Sequence, residues 1–435
     1  MNYWTLFLSV VLFCVSSQPA AADPYRDATS GRSQKITASY FGMHFHRLMV
    51  LPSENAVPTQ WPAAMLGSVR IWDAGSSWRD VAPRAGVWDF DRMDTFMNAA
   101  AAHQASVLYV LGSTPRWASA RPDEKCSYGY GCAAESVRID HWDEYVRRVA
   151  QRYGNQISAY ELWNEPNFSE VERDRNAPGF YTGSVVKMVE MAQHARKILD
   201  EITPGAKLCT PGFVGGPDRL ELFLAAGGNK YVQAICYHFY SDNSADFVRY
   251  TNEVRAVMQR TGVSALPLWN TETGIDTIRQ SAPPAGVSAM TLPESSARLG
   301  QMLTLGAAAG FEHFYYYAWD NERSGMVTKR GEHVLGYQAF QRMQSWLLEA
   351  RLGECSTTND LVQCNGTRRH ERFIVAWAAK EGTYSLNIPN GWKIAGIDRL
   401  IDGALLPVDA ARKDTPTLLM GPMPIRVRMT QAARP

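Results

Sequence analysis

The chain has 435 residues, with 44 Lys and Arg against 43 Asp and Glu, so its formal net charge is only +1. This length exceeds one ordinary core of ~100–200 residues but accommodates a large barrel with a small appendage. The balanced charge argues against a nucleic-acid partner and against a protein that binds strongly charged membranes. Trp is abundant, at 13 residues. Trp faces suit sugar rings, although most Trp side chains in any protein belong to the core.

Residues 1–22 have the pattern of a secretory signal peptide. An apolar run over residues 4–15 is followed by small residues up to Ala22, which favours cleavage near that residue. No Lys or Arg precedes the run, which leaves a retained anchor open, although the run is shorter than the ~20 residues that span a bilayer. We therefore expect a periplasmic or secreted protein with no transmembrane domain after cleavage.

From residue 36 onward, strand-like runs alternate with amphipathic helical stretches, which predicts βα units and a parallel sheet. The predicted strands cover residues 36–46, 68–73, 106–111, 157–163, 207–210, 233–239, 266–270 and 313–319. Helical periodicity covers residues 138–153, 178–202, 245–260, 294–309 and 337–350. Eight such units predict an α/β fold, a (β/α)8 TIM barrel over residues 30–351 with long loops at its top.

The pattern changes after residue 351. Short β-like runs are separated by Gly, Pro and Asn, and they cover residues 373–378, 384–388, 394–400 and 425–429. Residues 352–431 are therefore predicted to form a small β-sandwich accessory domain. We expect it to support the barrel structurally, and a sugar-binding module is the alternative.

Six cysteines remain after cleavage of the predicted signal, and an even number in an exported chain favours disulfides. Cys126 with Cys132, and Cys355 with Cys364, are close enough in sequence to close a loop and a hairpin. Cys209 and Cys236 fall in strands that we place next to each other, so they either pair or remain separate buried thiols. Cys and His spacing typical of zinc sites is lacking, so we expect no metal and no cofactor.

Two glutamates at strand ends carry the strongest functional signal. Glu165 lies in Trp-Asn-Glu-Pro-Asn (163–167), and Glu272 lies in Pro-Leu-Trp-Asn-Thr-Glu-Thr-Gly (267–274); both follow apolar runs. A single Glu in such a place usually caps a helix or is only solvated. The interval between the two, however, fits three βα units of ~30–40 residues each. Two carboxylates at strand ends are what hydrolysis of a glycosidic bond requires, one as acid and one as nucleophile or base.

These motifs resemble glycoside hydrolase family 39, within the clan of retaining glycosidases on (β/α)8 barrels, over roughly residues 36–350. That family includes β-xylosidases, iduronidases and bacterial exopolysaccharide hydrolases of biofilm gene clusters, and the last group is the most similar. The resemblance implies a retaining glycoside hydrolase of β-glycosidic bonds. Glu165 would act as acid/base at the end of the fourth strand, and Glu272 as nucleophile at the end of the seventh.

The resemblance also implies roles for residues around the two carboxylates. Arg70 and Tyr240 would supply positive charge and a hydrogen bond to Glu272, although Arg70 in a purely structural salt bridge is a strong alternative. Asn164 would bond the sugar 2-hydroxyl, or else tie down the end of the strand. Strict strand alternation would point Asn164 and Glu165 to opposite faces, so we expect the strand to end or bulge there.

Four further side chains complete the predicted site. His238 would orient the acid/base or contact substrate, or it is a satisfied core residue. Trp319 ends the eighth strand, where the clan stacks a Trp under the sugar next to the scissile bond. His46 would hydrogen-bond sugar hydroxyls. Glu161 shares the parity of Glu165, so we expect it to be buried and paired with a basic residue.

The predicted partner is a polysaccharide or oligosaccharide substrate, and we expect endo action on an exported bacterial polysaccharide by a monomer. The long loop over residues 112–137, stapled by Cys126 and Cys132, would then form a rigid rim along an open cleft. The same loop could instead close a pocket for terminal sugars, as in a β-xylosidase. The same residues are also compatible with a transglycosylase and with a non-catalytic carbohydrate-binding barrel.

Overall fold

The computed structural model describes residues 23–50, 57–174, 179–241, 243–276, 290–403, 405–406 and 417–431. The predicted signal peptide, residues 1–22, lies outside the described residues. Among the residues that are described, no helix combines the length and the apolar character needed to cross a membrane.

Eight parallel strands form a barrel, in agreement with the predicted (β/α)8 fold. They are β1 Phe41–His44, β2 Ser68–Ile71, β3 Ser106–Val110, β4 Ile157–Glu161, β5 Lys207–Cys209, β6 Ile235–His238, β7 Leu268–Thr273 and β8 Phe314–Tyr316. Neighbouring strands follow the order β5-β4-β3-β2-β1-β8-β7-β6. Parallel bridges from Cys209 to Ala234 and from Phe213 to Tyr237 join β5 to β6 and close the barrel.

Helices surround the barrel. They are α1 Pro24–Thr29, α2 Trp78–Val81, α3 Asp91–Ala102, α4 Ile139–Tyr153, α5 Val185–Ile202, α6 Asp218–Ala225, α7 Ser244–Arg260, α8 Leu292–Ala308 and α9 Leu335–Leu347. From β2 to β8 each strand is followed by at least one helix. Within the described residues between β1 and β2 there is no helix.

Two boundaries differ from the prediction in ways that affect the site. The predicted strand 266–270 extends to Thr273, so Glu272 lies within β7 and not in the loop after it. The predicted helix 178–202 begins only at Val185, where the Ser184 hydroxyl accepts a hydrogen bond from the Lys187 N–H at 3.2 Å. This N-cap sets the start of the helix at Val185, and residues 179–183 form a loop instead.

Antiparallel strands follow the barrel. They are β9 Arg351–Thr358, β10 Leu361–Arg368, β11 Glu371–Ala378, β12 Gly382–Ser385, β13 Trp392–Arg399, β14 Leu405–Leu406, β15 Thr417–Met420 and β16 Ile425–Gln431. One sheet has the order β9-β10-β11-β16-β13-β14, and β12 pairs with β15. Leu386 and Met420 pack on the inner face of the larger sheet with Ile374, Ile397 and Val427. The two layers form the predicted small β-sandwich.

All three disulfides are formed, namely Cys126–Cys132, Cys209–Cys236 and Cys355–Cys364. The two local pairings are confirmed, and the third pair, left open by the sequence, joins β5 to β6 where the barrel closes. Three disulfides fit a protein exported to an oxidising compartment. The segment before the barrel reaches the sandwich as well, because Lys35 bridges to Arg351 and the Cys355 N–H donates to the Thr29 hydroxyl at 2.9 Å.

Candidate active site

Glu272 lies at the carboxyl end of β7, the edge of the barrel where enzymes of this fold place their chemistry. Its side chain is 8% exposed. The Arg70 Nη1 donates to Glu272 Oε2 at 2.8 Å, and the Tyr240 hydroxyl donates to Oε1 at 2.7 Å. Burial raises the pKa of Glu272, while the positive charges of His238 and Arg70 act in the opposite direction. Both carboxylate oxygens are thus held by donors that favour the ionised form.

Arg70 is fully buried and joins two carboxylates. Its Nε and Nη2 donate to the two oxygens of Glu161 at 2.8 and 2.6 Å, and Nη2 also donates to Asn164 Oδ1 at 2.7 Å. Burial alone would lower the pKa of Arg70, but Glu161 and then Glu272 raise it overall. Burial by itself would raise the pKa of Glu161, but Arg70 and His238 together outweigh it and lower the pKa of that carboxyl. The prediction that Glu161 is buried and paired with a basic residue is confirmed.

Glu165 follows β4 in a left-handed backbone conformation, with φ of +40°. Its N–H donates to the Gly212 carbonyl at 2.9 Å, and Asn164 forms a parallel bridge to Gly212. The change of backbone hand breaks the strand alternation. Asn164 and Glu165 therefore both lie in the site, as the expected strand end requires.

Gly212 lies so close to the charged cluster that there is no room for a side chain at this position. A Cβ added there would lie 2.2 Å from Glu161 Oε1 and 2.3 Å from His238 Nε2. Those distances are far inside van der Waals contact, so a larger residue would displace either the carboxylate or the imidazole. The absence of a side chain at Gly212 thus allows Glu161 and His238 to occupy their observed positions.

His238 ends β6 and is fully buried against the acid/base candidate. Its Nδ1 lies 2.8 Å from Glu165 Oε1, and its Nε2 lies 3.7 Å from Glu161 Oε1. Burial lowers the pKa of the imidazole, but Glu272, Glu161 and Glu165 more than compensate and raise it to about 9. Of the alternatives left open by the sequence, this geometry favours a residue that orients Glu165.

The two candidate catalytic carboxylates converge with His238. One oxygen of Glu165, one of Glu272 and a ring nitrogen of His238 all lie within 4.8 Å of one another. These three groups could in principle hold a divalent cation. Both oxygens of Glu272 and the Nδ1 of His238, however, already have protein hydrogen-bond partners, so a hydrogen-bonded network explains the cluster.

A second charged cluster lies at the ends of β1, β2 and β8. His46 Nε2 is 3.1 Å from Asp73 Oδ1, and His46 Nδ1 is 3.3 Å from Asp320 Oδ1. Despite burial, the two carboxylates raise the pKa of His46 to about 10. The Tyr317 hydroxyl donates to Asp73. Burial, Asp73 and Glu272 together raise the pKa of Tyr317 well above its usual range.

Asp73, Tyr317 and Asp320 are site residues that the sequence pattern did not reveal. Each lies one to four residues beyond the end of a barrel strand, which is the signal that would have found them. They surround His46, whose predicted contact with sugar hydroxyls stays a prediction. The cluster adds further hydrogen-bonding groups to the site that contains Glu165 and Glu272.

Trp319, the predicted stacking platform, does not end the eighth strand as predicted but lies three residues beyond β8, and it is 2% exposed. Its indole N–H donates to the Gln60 carbonyl at 3.0 Å, and its ring packs against Tyr337. Tyr317, two residues earlier and directly after β8, is an aromatic residue whose pKa the charges of Asp73 and Glu272 raise. Stacking of a sugar on Trp319 therefore stays a prediction.

The sequence matches no protein-family model and no curated protein. The structure, however, is similar to a family 39 glycoside hydrolase from Bacteroides cellulosilyticus, with a TM-score of 0.66 and 15% identity over 93% of this chain and 82% of that one. A family 30 endoxylanase from Clostridium papyrosolvens gives a TM-score of 0.60 and 14% identity over 92% of this chain and 98% of that one. A family 39 β-xylosidase from Caulobacter crescentus gives a TM-score of 0.58 and 15% identity over 92% of this chain and 98% of that one. This chain therefore shares the fold of these glycoside hydrolases along nearly its whole length.

Proposed function

We propose that this protein is a retaining glycoside hydrolase that cleaves β-glycosidic bonds by double displacement. The observation that carries the proposal is the approach of Glu165 and Glu272, since one oxygen of each lies within 4.8 Å of the other at the ends of the fourth and seventh barrel strands. Retaining enzymes hold their two carboxyl groups ~5–5.5 Å apart, whereas inverting enzymes leave ~6.5–9.5 Å for a water molecule. The fold similarity to family 39 and family 30 glycoside hydrolases supports the same assignment.

In the first step Glu272 attacks the anomeric carbon while the glycosidic C–O bond breaks and the Glu165 proton passes to the leaving oxygen. The product is a glycosyl ester on Glu272. In the second step the Glu165 carboxylate takes a proton from water, whose oxygen attacks the anomeric carbon and releases Glu272. Glu165 gives up one proton in the first step and regains one from water in the second, so the two steps need no cofactor.

The surrounding residues have distinct tasks in these steps. Arg70 and Tyr240 keep Glu272 ionised and hold its side chain in one orientation. Asn164, whose Oδ1 accepts from Arg70, keeps its amide N–H₂ group for the sugar 2-hydroxyl, a bond that strengthens in the oxocarbenium-like transition state. His238 holds Glu165 in the position from which it delivers its proton.

We further propose that the substrate is an exported bacterial polysaccharide, such as a biofilm exopolysaccharide, and that the enzyme cuts it internally. The three disulfides support action in the periplasm or outside the cell. The partly exposed Tyr128 on the stapled loop after β3 supports a cleft with an aromatic rim. In this proposal residues 30–351 perform catalysis, and residues 352–431 stabilise the barrel.

The mechanism is tested by proton NMR of the first-formed sugar. The panel contains beechwood xylan, barley β-glucan, bacterial exopolysaccharides, and the 4-nitrophenyl β-D-xyloside and β-D-glucoside. We expect β-configured product first, with slow mutarotation afterwards. Initial release of the α-anomer would exclude double displacement.

Endo action is tested with oligosaccharides of two to six sugars of whichever backbone is cut. An internally cutting enzyme should cleave the longer members faster and release internal fragments early. Release of monosaccharide alone from one end, at a rate independent of length, would show exo action instead.

A further inference from the structure

Residues 125–130 form a small hairpin on the loop after β3. Lys125 pairs with Tyr130 and Cys126 with Gly129, which leaves Ser127 and Tyr128 as the turn. The Cys126–Cys132 disulfide closes the base of the hairpin. A loop that is held by a disulfide at its base presents its turn residue in a defined position.

The ring of Tyr128 packs with two aromatic rings at the border of the charged site. Its centroid lies 5.7 Å from that of Phe180 and 6.2 Å from that of Trp72, which immediately precedes Asp73 in the chain. Burial of the hydroxyl, together with the charges of Asp73 and Glu272, raises the pKa of Tyr128 well above its usual range. The residue as a whole is nevertheless 37% exposed. The Tyr128 hydroxyl is thus buried within reach of these charges, while more than a third of the residue's surface stays open to solvent.

The hairpin is clamped from two sides. The Arg79 guanidinium donates to the Tyr128 carbonyl. On the other side, Arg121, which lies on the same loop four residues before the hairpin, donates to the Thr182 hydroxyl at 2.9 Å, two residues after Phe180. These bonds connect the hairpin to α2 and the loop that carries it to the loop after β4. The pair of rings from Tyr128 and Phe180 is therefore fixed before any substrate arrives.

We propose that Tyr128 is a specificity-determining residue that contacts the sugar unit adjoining the one held between Glu165 and Glu272. This proposal rests on the proposed glycosidase function. The open part of an aromatic ring at the border of the charged site suits the axial C–H groups of a sugar. Because the disulfide and the bond from Arg79 already hold the hairpin in place, binding loses little conformational entropy there. The hairpin then favours chains over small glycosides.

The test compares a chain with a small substrate. The probes are xylohexaose and 4-nitrophenyl β-D-xylopyranoside, or cellohexaose and the β-D-glucopyranoside if the enzyme is a glucosidase. Tyr128→Ala should lower kcat/KM on the hexasaccharide about tenfold, as expected for the loss of one stacking ring. It should leave kcat/KM on the aryl glycoside within about twofold of the unaltered enzyme. Tyr128→Phe should retain most activity on both.

Two further variants distinguish the effect of the Tyr128 ring from that of the Cys126–Cys132 disulfide. Replacing Cys126 and Cys132 together by Ser leaves the other two disulfides intact and should reproduce the selective loss on the hexasaccharide. Tyr130→Ala is the matched control, because Tyr130 lies on the same hairpin, is 56% exposed and packs under Arg116. Tyr130→Ala should change kcat/KM neither on the hexasaccharide nor on the aryl glycoside. Thermal unfolding confirms that each variant is folded.

Equal losses on both probes, or equal effects of Tyr128→Ala and Tyr130→Ala, would overturn the assignment. Failure of the proposed function shows separately. The unaltered enzyme would then turn over no substrate of the whole panel that tests the mechanism, and Tyr128 would lose its role together with the carboxylates.

Discussion

Arg70 and Glu161 form a buried, two-point ion pair that positions the candidate nucleophile. The guanidinium contacts both oxygens of Glu161 at 2.6 and 2.8 Å and still reaches Glu272 at 2.8 Å through its third nitrogen. Neither Arg70 nor Glu161 is exposed to solvent. A planar guanidinium fixed by two bonds at one edge has little freedom left at the other. Glu161 thus acts on Glu272 through Arg70 without contacting substrate itself.

We expect Glu161→Gln to lower both stability and activity. The variant leaves the buried Arg70 charge with weaker compensation, which should cost about 1–3 kcal/mol of unfolding free energy. Arg70 should then stabilise the Glu272 carboxylate more strongly, so the acid limb of the kcat/KM profile should move to lower pH. Glu144→Gln, in the exposed pair with Arg148, should change stability by less than ~1 kcal/mol. An unmoved acid limb would contradict the positioning role.

Glu272→Gly should abolish turnover on every substrate, because no glycosyl ester can form. Added azide should restore cleavage of an aryl glycoside by direct attack on the anomeric carbon. The product of that single displacement should be the α-glycosyl azide, identified by proton NMR. A β-glycosyl azide, or turnover without azide near the original rate, would assign the nucleophile elsewhere.

Glu165→Ala should discriminate between leaving groups. Substrates with a sugar leaving group need the proton from Glu165, so their kcat/KM should fall by roughly 10²–10⁴-fold. Activated aryl glycosides need little protonation and should form the ester at nearly the original rate, then accumulate it as a burst. Azide should speed turnover and give the β-glycosyl azide. Equal losses on both classes of substrate would contradict the acid/base assignment.

The pH dependence of stability should report on His46. Its pKa in the folded protein is about 10, against an ordinary value of 6.5. Its contribution is therefore fully present below about pH 6.5 and is lost as the pH rises toward 10. His46→Gln should cost roughly 2–4 kcal/mol at pH 6, with a much smaller cost above pH 10. Urea unfolding at the two pH values measures the difference.

His194→Gln is the control for this experiment, since His194 is paired with Asp143 on the outer helices and both side chains are 33% exposed. We expect a small effect that differs little between the two pH values. A pH-independent cost for His46→Gln would show that its role is packing and not charge.

Gly212→Ala should disable the site. The new Cβ would lie 2.2 Å from Glu161 Oε1, which requires the ion pair with Arg70 to shift. We expect a stability loss of about 1–3 kcal/mol, as for other overpacked interiors, and a loss of kcat beyond that explained by unfolding. Gly205→Ala, at a position where an added Cβ meets nothing within 4 Å, should change neither. A fully active Gly212→Ala enzyme would show that the cluster tolerates displacement.

Much of the molecule follows from local sequence patterns. The alternation of apolar strands and amphipathic helices is a property of neighbouring residues, and it predicted the barrel and the terminal sandwich. Glu165 and Glu272 were recognisable because each ends an apolar run, and parallel strands of a barrel direct such ends to one face. The two short disulfide loops were recognisable because their cysteines are close in the chain.

The internal arrangement of the site depends on contacts between distant segments. Arg70, Glu161 and Glu272 come from β2, β4 and β7, and no spacing in the sequence shows that one guanidinium would link both carboxylates. The left-handed conformation of Glu165 likewise depends on its bond to Gly212. Local periodicity determines which residues face inward. Barrel closure and side-chain packing decide which inward-facing charges meet, because that depends on the register between strands far apart in the chain.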